Sequence, residues 1–333
     1  MHPTARGRTV GLRGASLALA LAGLLAASGT TAHAADYPTK PIRIYVPYGA
    51  GGVGDLTVRI LAQKMSEILG QRLVIENRPG AGGTIAMKSV LDAPADGYAL
   101  GEMGNGQAIA STLFTHLPYD VLKDFSPISI AGSFPVLIAV AGSSPYHSLK
   151  DVVAAAQKNP GKLNLGAINP GSTQNLSAHL FKQITGAQFT IIPYRTTPDL
   201  IGALLRGDID VAFDYFAAFE GSRGDGKLRI IATSGDMRDP RLKDVPTAKE
   251  SGFPQFVVTS WNGLTVRAGT PPKIIQVLNA AATRALAAPD AQEKSQRLGI
   301  DAHASTPDEM KARLARDIAR WREVIDKAGI PKQ

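Results

Sequence analysis

Beyond residue 36 the chain alternates short apolar, β-branched runs with stretches whose apolar positions recur every three or four residues. Runs at 42–46, 73–76 and 98–103 predict strands, and the helical periods that follow them start at Asp55, Thr84 and Gln107. A second series predicts strands over 136–140, 163–166, 190–193, 209–213 and 228–233, with helices over 149–157, 173–184 and 198–205. This alternation is the mark of βαβ units, a largely parallel sheet covered by helices, and two such series imply two α/β domains. Further helices are expected at 273–286 and 307–327. In the last, Thr306-Pro307-Asp308-Glu309 forms a capping box with proline at the first helical position. Met310, Leu314, Ile318, Trp321 and Ile325 fall on one face of it, a stripe that reads as core packing. No internal repeat or low-complexity segment is visible.

The first 34 residues have a different pattern. Arg6, Arg8 and Arg13 precede an apolar run over 15–27 and then Ala32-His33-Ala34, the three parts of a secretory signal cleaved before Ala35. The run is too short for a hydrocarbon core of about 30 Å, which needs roughly 20 residues. No adjacent arginine pair is present, which disfavours export of a folded, cofactor-loaded protein. No later segment approaches 18 uninterrupted apolar residues, so a cleaved, periplasmic protein is expected.

Composition narrows the chemistry. With 333 residues and 44% hydrophobic content the chain can build a sizeable core, and with no cysteine it can hold neither disulfides nor thiolate metal sites. The formal charge of +8 falls to +5 without the three leader arginines. The remaining cations are interspersed with acids, as in Arg238-Asp239-Pro240-Arg241-Leu242-Lys243-Asp244, so nucleic acid is not an expected partner. His116, His147, His179 and His303 carry no H-E-x-x-H spacing, and G-x-S-x-G and S-x-x-K are absent. No catalytic residue, metal ligand or cofactor is assigned.

The glycine-rich stretch after the first strand admits two uses. Gly49, Gly51 and Gly54 satisfy G-x-G-x-x-G, with Glu76 ending the next strand, as in a dinucleotide site. Against that, Asp55 would repel a pyrophosphate at the helix start, and Pro47 and Tyr48 lengthen the turn. The other use is a seat for a small carboxylate on unobstructed backbone N–H groups at a positive helix end. A second cluster, Asn77-Arg78-Pro79-Gly80-Ala81-Gly82-Gly83-Thr84, either packs beside the first or only turns the chain. Asn169-Pro170-Gly171-Ser172-Thr173 and Pro193-Tyr194-Arg195-Thr196-Thr197-Pro198 open two later helices, and Arg195 can grip a carboxylate bidentately. Residues 221–227 mimic a P-loop, but Leu228 replaces the magnesium-binding hydroxyl and a strand follows, so that reading is rejected.

Several ordered blocks resemble one family. They include 47–55, 76–83, Ala95-Asp96-Gly97-Tyr98, Leu117-Pro118-Tyr119-Asp120, Lys123-Asp124-Phe125, 159–164, Phe213-Asp214, Asp244-Val245-Pro246-Thr247 and Ser260-Trp261-Asn262-Gly263-Leu264. The chain is similar to the periplasmic solute-binding proteins of tripartite tricarboxylate transporters, the Bug or TctC-like group. The resemblance implies a type II periplasmic-binding-protein fold: two α/β domains joined by two crossing strands, near 130–140 and 255–265, with a ligand cleft between them. Residues 35–135 plus 260–333 would form one domain and 136–259 the other. It further implies capture of a mono- or dicarboxylate without chemistry, by a monomer that serves membrane permease subunits. By matched position the site would use Tyr48, Gly49, Ala50, Gly51, Gly52, Asp55, Asn105 and Gln107 from the first domain. The second would supply Gly171, Ser172, Thr173, Tyr194, Arg195, Thr196, Thr197 and Asp214. Asn175 and His179 stand where relatives usually carry His and Glu, and Thr196-Thr197 replaces a Gly-Gly pair, so the resemblance does not name the ligand. The alternatives are an exported NAD(P)-dependent oxidoreductase using the 49–54 loop, and a sensor subunit for a signalling receptor.

Overall fold

Ile42, Ile44 and Val46 are fully buried, which makes β1 (Ile42–Val46) an interior strand of the computed structural model, where residues 37–333 are described. The expected leader lies outside the described residues. β1 pairs in parallel with β2 (Leu73–Asn77) on one side and β3 (Ala99–Gly104) on the other. β10 (Thr259–Arg267) runs antiparallel to β3 and to β4 (Phe125–Pro135), giving the order β2-β1-β3-β10-β4. The second sheet repeats this plan in the order β7-β6-β8-β5-β9. There β6 (Asn164–Ile168) is parallel to β7 (Thr190–Tyr194) and β8 (Val211–Asp214), while β5 (Leu137–Ala141) is antiparallel to β8 and β9 (Leu228–Thr233).

Each sheet is therefore mixed, where the βαβ pattern alone suggested a largely parallel one. The antiparallel members are the strands next to the chain crossings. The chain passes from β4 to β5 through Val136 alone, and returns at Val258 into β10. Two α/β domains joined by two crossing strands follow.

Helices cover both sheets: α1 (Val53–Leu69), α2 (Thr84–Leu91), α3 (Asn105–Leu113), α4 (Leu149–Lys158), α5 (Thr173–Thr185), α6 (Thr197–Arg206), α7 (Phe216–Gly224), α8 (Pro272–Leu286), α9 (Pro289–Arg297) and α10 (Pro307–Ala328). In α10 the expected stripe is buried, and the cap closes both ways: Thr306 N–H donates to Glu309 Oε2 at 2.8 Å and Glu309 N–H to Thr306 Oγ1 at 3.2 Å. That helix lies against α3 and β4 and also against α5, so it touches both halves. The core of the second half is aromatic, with Phe181 packed against Phe189, Phe213, Phe253 and Phe256.

Four elements have no clean period in the sequence. β4 is buried along nearly its whole length and pairs with β10 across two register irregularities, which hides any alternation. α9 buries only Ala291 and Ser295. α7 ends in Gly221-Ser222-Arg223-Gly224, the stretch that imitates a phosphate loop, and β9 follows it, as the rejection of that motif required.

Candidate ligand-binding site

Parallel α/β units place their helix starts at the carboxyl ends of the strands, and ligands bind where such ends meet at a topological switch point. Both sheets aim those ends at one cavity of about 1080 Å³. Six helices begin on its wall. Gly52, Gly83, Ser172, Thr196 and Tyr215 are the N-caps of α1, α2, α5, α6 and α7, and the first turn of α3 contributes Gly106 and Gln107. Each helix start presents unsatisfied N–H groups and roughly half a positive charge. These ends are finished in two ways. Ser172 and Thr196 cap α5 and α6 with their hydroxyls, whereas the N-cap residues of α1, α2, α3 and α7 supply no side-chain cap.

The first glycine loop is held by Asp55. Its fully buried carboxylate accepts from Gly51 N–H at 2.8 Å, Arg59 Nε at 2.7 Å and Asn77 Nδ2 at 2.8 Å. Burial opposes ionisation of Asp55, but these three donors outweigh it and hold the pKa below the ordinary range. Asn77 Nδ2 also donates to the Tyr48 carbonyl at 3.0 Å. Gly51 sits at φ +91°, where a β-carbon would be strained, so the loop needs glycine there. The second glycine cluster packs beside the first: Gly80, Gly82 and Gly83 share the cavity wall with residues 47–54. Glu76, the carboxylate a dinucleotide ribose would need, is taken by Arg78 at 2.9 Å and Arg43 at 3.5 Å and does not face the cavity.

Of the residues proposed from sequence, Tyr48, Gly49, Ala50, Gly51, Gly52, Gln107, Gly171, Ser172, Thr173, Arg195, Thr196, Thr197 and Asp214 line this cavity together. Three do not. Asp55 lies beneath the loop as its clamp. Asn105 is a buried junction, donating to Thr173 Oγ1 at 2.7 Å and accepting from Trp321 Nε1 at 2.7 Å. Tyr194 packs against the apolar cluster behind the second sheet.

Asp214 and Arg195 are the charged side chains on the wall. Asp214 is almost fully buried and accepts from Gln174 Nε2 at 3.0 Å, Thr197 Oγ1 at 2.8 Å and Tyr215 N–H at 2.8 Å. Burial lifts its pKa despite these donors. Arg195 is exposed and forms no ion pair among the described residues.

Sequence reasoning passed over Gln174, Tyr215, Ser260 and Asn262, which also line the cavity. Asn262 Nδ2 donates to the Gly54 carbonyl at 3.1 Å, tying β10 to the start of α1. Burial pushes the Tyr215 hydroxyl up to about 12, although Ser260 and Thr173 bond to it. The usable signal was positional, since Tyr215 follows Asp214 at a strand-to-helix junction.

A model of the tripartite tricarboxylate transporter family receptor matches residues 57–330. The chain belongs to this family. Protein BugT of Bordetella pertussis is 33% identical to this receptor over 299 residues, covering 88% of this chain and 90% of that one. Among solved structures, periplasmic binding protein BugD superposes with a TM-score of 0.76 at 31% identity, over 89% of this chain and 100% of that one. A Rhodopseudomonas palustris protein solved with adipate gives 0.79 at 32%, over 89% and 99%. MatC of the same organism, solved with bound malate, gives 0.73 at 31%, over 87% and 100%. In the present receptor Asn175, one of the departures noted above, is buried with Oδ1 accepting from Gly171 N–H at 3.4 Å. Burial holds His179, which does not line the cavity, below the ordinary imidazole pKa.

Proposed function

We propose that this receptor captures a small carboxylate-bearing organic acid in the cleft between its two domains and delivers it, without chemistry, to the membrane subunits of a tripartite tricarboxylate-type transporter in the periplasm. The observation that carries the reading is the meeting of six helix starts on one cavity, four of them with no cap from the N-cap side chain. Such a wall is built for an anion. The adipate and malate seen in two structural relatives support the same ligand class. Arg195 would grip one carboxylate, and the backbone N–H groups of residues 49–54 that Asp55 leaves free would seat another. The moving bodies would be residues 35–135 with 260–333, and 136–259, and ligand would act by stabilising their closed arrangement.

A thermal-shift screen tests this. An acid at 100 times its dissociation constant adds roughly 2.7 kcal/mol to folding stability. Malate, adipate and aromatic carboxylates are therefore the first compounds to try, beside a nicotinamide dinucleotide. Stabilisation by the dinucleotide and by none of the acids would overturn the reading in favour of an oxidoreductase.

A further inference from the structure

Glu102, on β3, has no solvent exposure, and neither of its carboxyl oxygens has a hydrogen-bond partner of normal geometry. An orphaned buried carboxyl in a native fold calls for an explanation. Gly101, its neighbour, faces Val90 and Met87 of α2, so by strand alternation Glu102 points to the other side of the first sheet. Glu102 and Gly104 share that face of β3, Gly104 pairs with Asn262, and a β-carbon on Gly54 would meet both Asn262 Nδ2 at 3.1 Å and the Tyr48 ring at 2.9 Å, so Tyr48, which lines the cavity, comes down on the Glu102 side of the sheet. Tyr48 is held in place by two glycines. A β-carbon on Gly54 would stand 2.9 Å from its ring, and one on Gly106 would stand 2.8 Å from its hydroxyl. The phenol thus lies across the starts of α1 and α3, two of the helix ends on the cavity wall.

The charged groups on the surrounding elements are engaged elsewhere. On β1, Arg43 reaches Glu76, and Tyr45 lies under Arg78. On β10, Arg267 donates to the Ala93 carbonyl, and Lys88 of α2 pairs with Asp92. On α1, Asp55 pairs with Arg59, and Lys64 with Glu67 and Asp290. Lys273 and Arg284 of α8 are exposed, and α3 carries no charge. Tyr215 shares the cavity wall with Tyr48, with its own hydroxyl bonded to Ser260 and Thr173.

We infer that Glu102 is a positioning residue of the carboxylate seat, acting on the ligand through Tyr48, and that binding of a carboxylate anion is linked to the proton on Glu102. A carboxylic acid can donate its O–H to the Tyr48 oxygen, which leaves the phenolic O–H free to donate into the cavity. Once Glu102 is a carboxylate, the phenol turns back to donate to it. The ligand then loses a donor and meets a like charge beneath the same helix ends. Burial raises Glu102 to about 8, which places this exchange just above neutral pH, and burial keeps Tyr48 itself well above its usual range. The inference rests on the carboxylate reading of the cavity.

The test is calorimetric titration of the wild-type receptor with malate, adipate and aromatic acids at pH 7 and pH 9, in two buffers of different ionisation enthalpy. Affinity is expected to fall about tenfold between those pH values, with close to one proton taken up per ligand at pH 9 and almost none at pH 7. Glu102→Gln and Tyr48→Phe should each flatten the pH profile. Wild-type affinity that does not change with pH, binding at pH 9 without proton uptake, or an unaltered profile in Glu102→Gln would each overturn the role of Glu102 while leaving the carboxylate reading intact. If no acid binds at either pH, the carboxylate reading fails and this inference falls with it.

Discussion

The hydroxyl of Ser234 donates to the carbonyl of Val258 at 2.5 Å, and the Val258 N–H donates back to the Ser234 carbonyl at 2.8 Å. Ser234 treats the other crossing in the same way: its N–H donates to the Val136 carbonyl at 2.8 Å, and its Oγ accepts from Val136 N–H at 2.9 Å. One fully buried residue therefore stitches together the two places where the chain passes between domains. Ser234→Ala leaves Val136 N–H and the Val258 carbonyl without their side-chain partner. The expected loss is about 1–3 kcal/mol of unfolding free energy, read from urea denaturation. A change below about 0.5 kcal/mol, the range of ordinary surface substitutions, would remove Ser234 from this role.

Asp55 and Arg195 separate two kinds of contribution to the site. Asp55 is buried and saturated by Gly51, Arg59 and Asn77, so Asp55→Ala leaves those donors unpaired and should lower stability by about 2–4 kcal/mol. Arg195 is exposed and has no ion pair among the described residues, so Arg195→Ala should stay within about 0.5 kcal/mol of wild-type stability while weakening carboxylate binding at least about tenfold. Equal destabilisation by the two variants would contradict this division, and so would full affinity in Arg195→Ala.

The junction at Asn105 gives a further test. Trp321→Phe keeps most of the buried ring but removes the donor to Asn105 Oδ1, whose amide also holds Thr173 of the second domain. A loss of about 1–3 kcal/mol is expected. Thermal denaturation of the variant at wild-type stability would show that this hydrogen bond is dispensable.

Stability should also depend on Glu102. Its pKa rises from the ordinary 4.5 to about 8 on folding, so between those values the folded protein keeps a proton that the unfolded chain has lost. Unfolding then releases a proton, and stability falls as pH rises through that window, by at most about 1.4 kcal/mol per unit. Below about 4.5 the contribution is fully present. Glu102→Gln should lose this slope, and parallel denaturation profiles for the two proteins between pH 5 and 8 would contradict the assignment.

Where a local period or a helix cap decided the structure, the sequence was legible. The alternating runs placed β1 and β9 to the residue, and Thr306 with Glu309 marked the start of α10. β4 and β10 were visible only through family resemblance, because strands buried on both faces do not alternate. The site divides in the same way. Loops at helix starts announced themselves through Gly, Ser and Thr, but Glu102 could not be found, since Ala99-Leu100-Gly101-Glu102-Met103 looks like a strand with one outward acid. Only the packing shows that this acid is inside. For Asp55 the sequence shows a position at a helix start and not that its carboxylate folds under Gly51.

The most direct test of the central claim, that a wall of helix starts seats a carboxylate, is calorimetric titration at pH 7 with an acid that binds and with its neutral primary amide. The two differ in charge and hardly at all in size. Submillimolar binding of the acid with no measurable heat from the amide is the predicted result, whereas equal affinity for the two would contradict the claim.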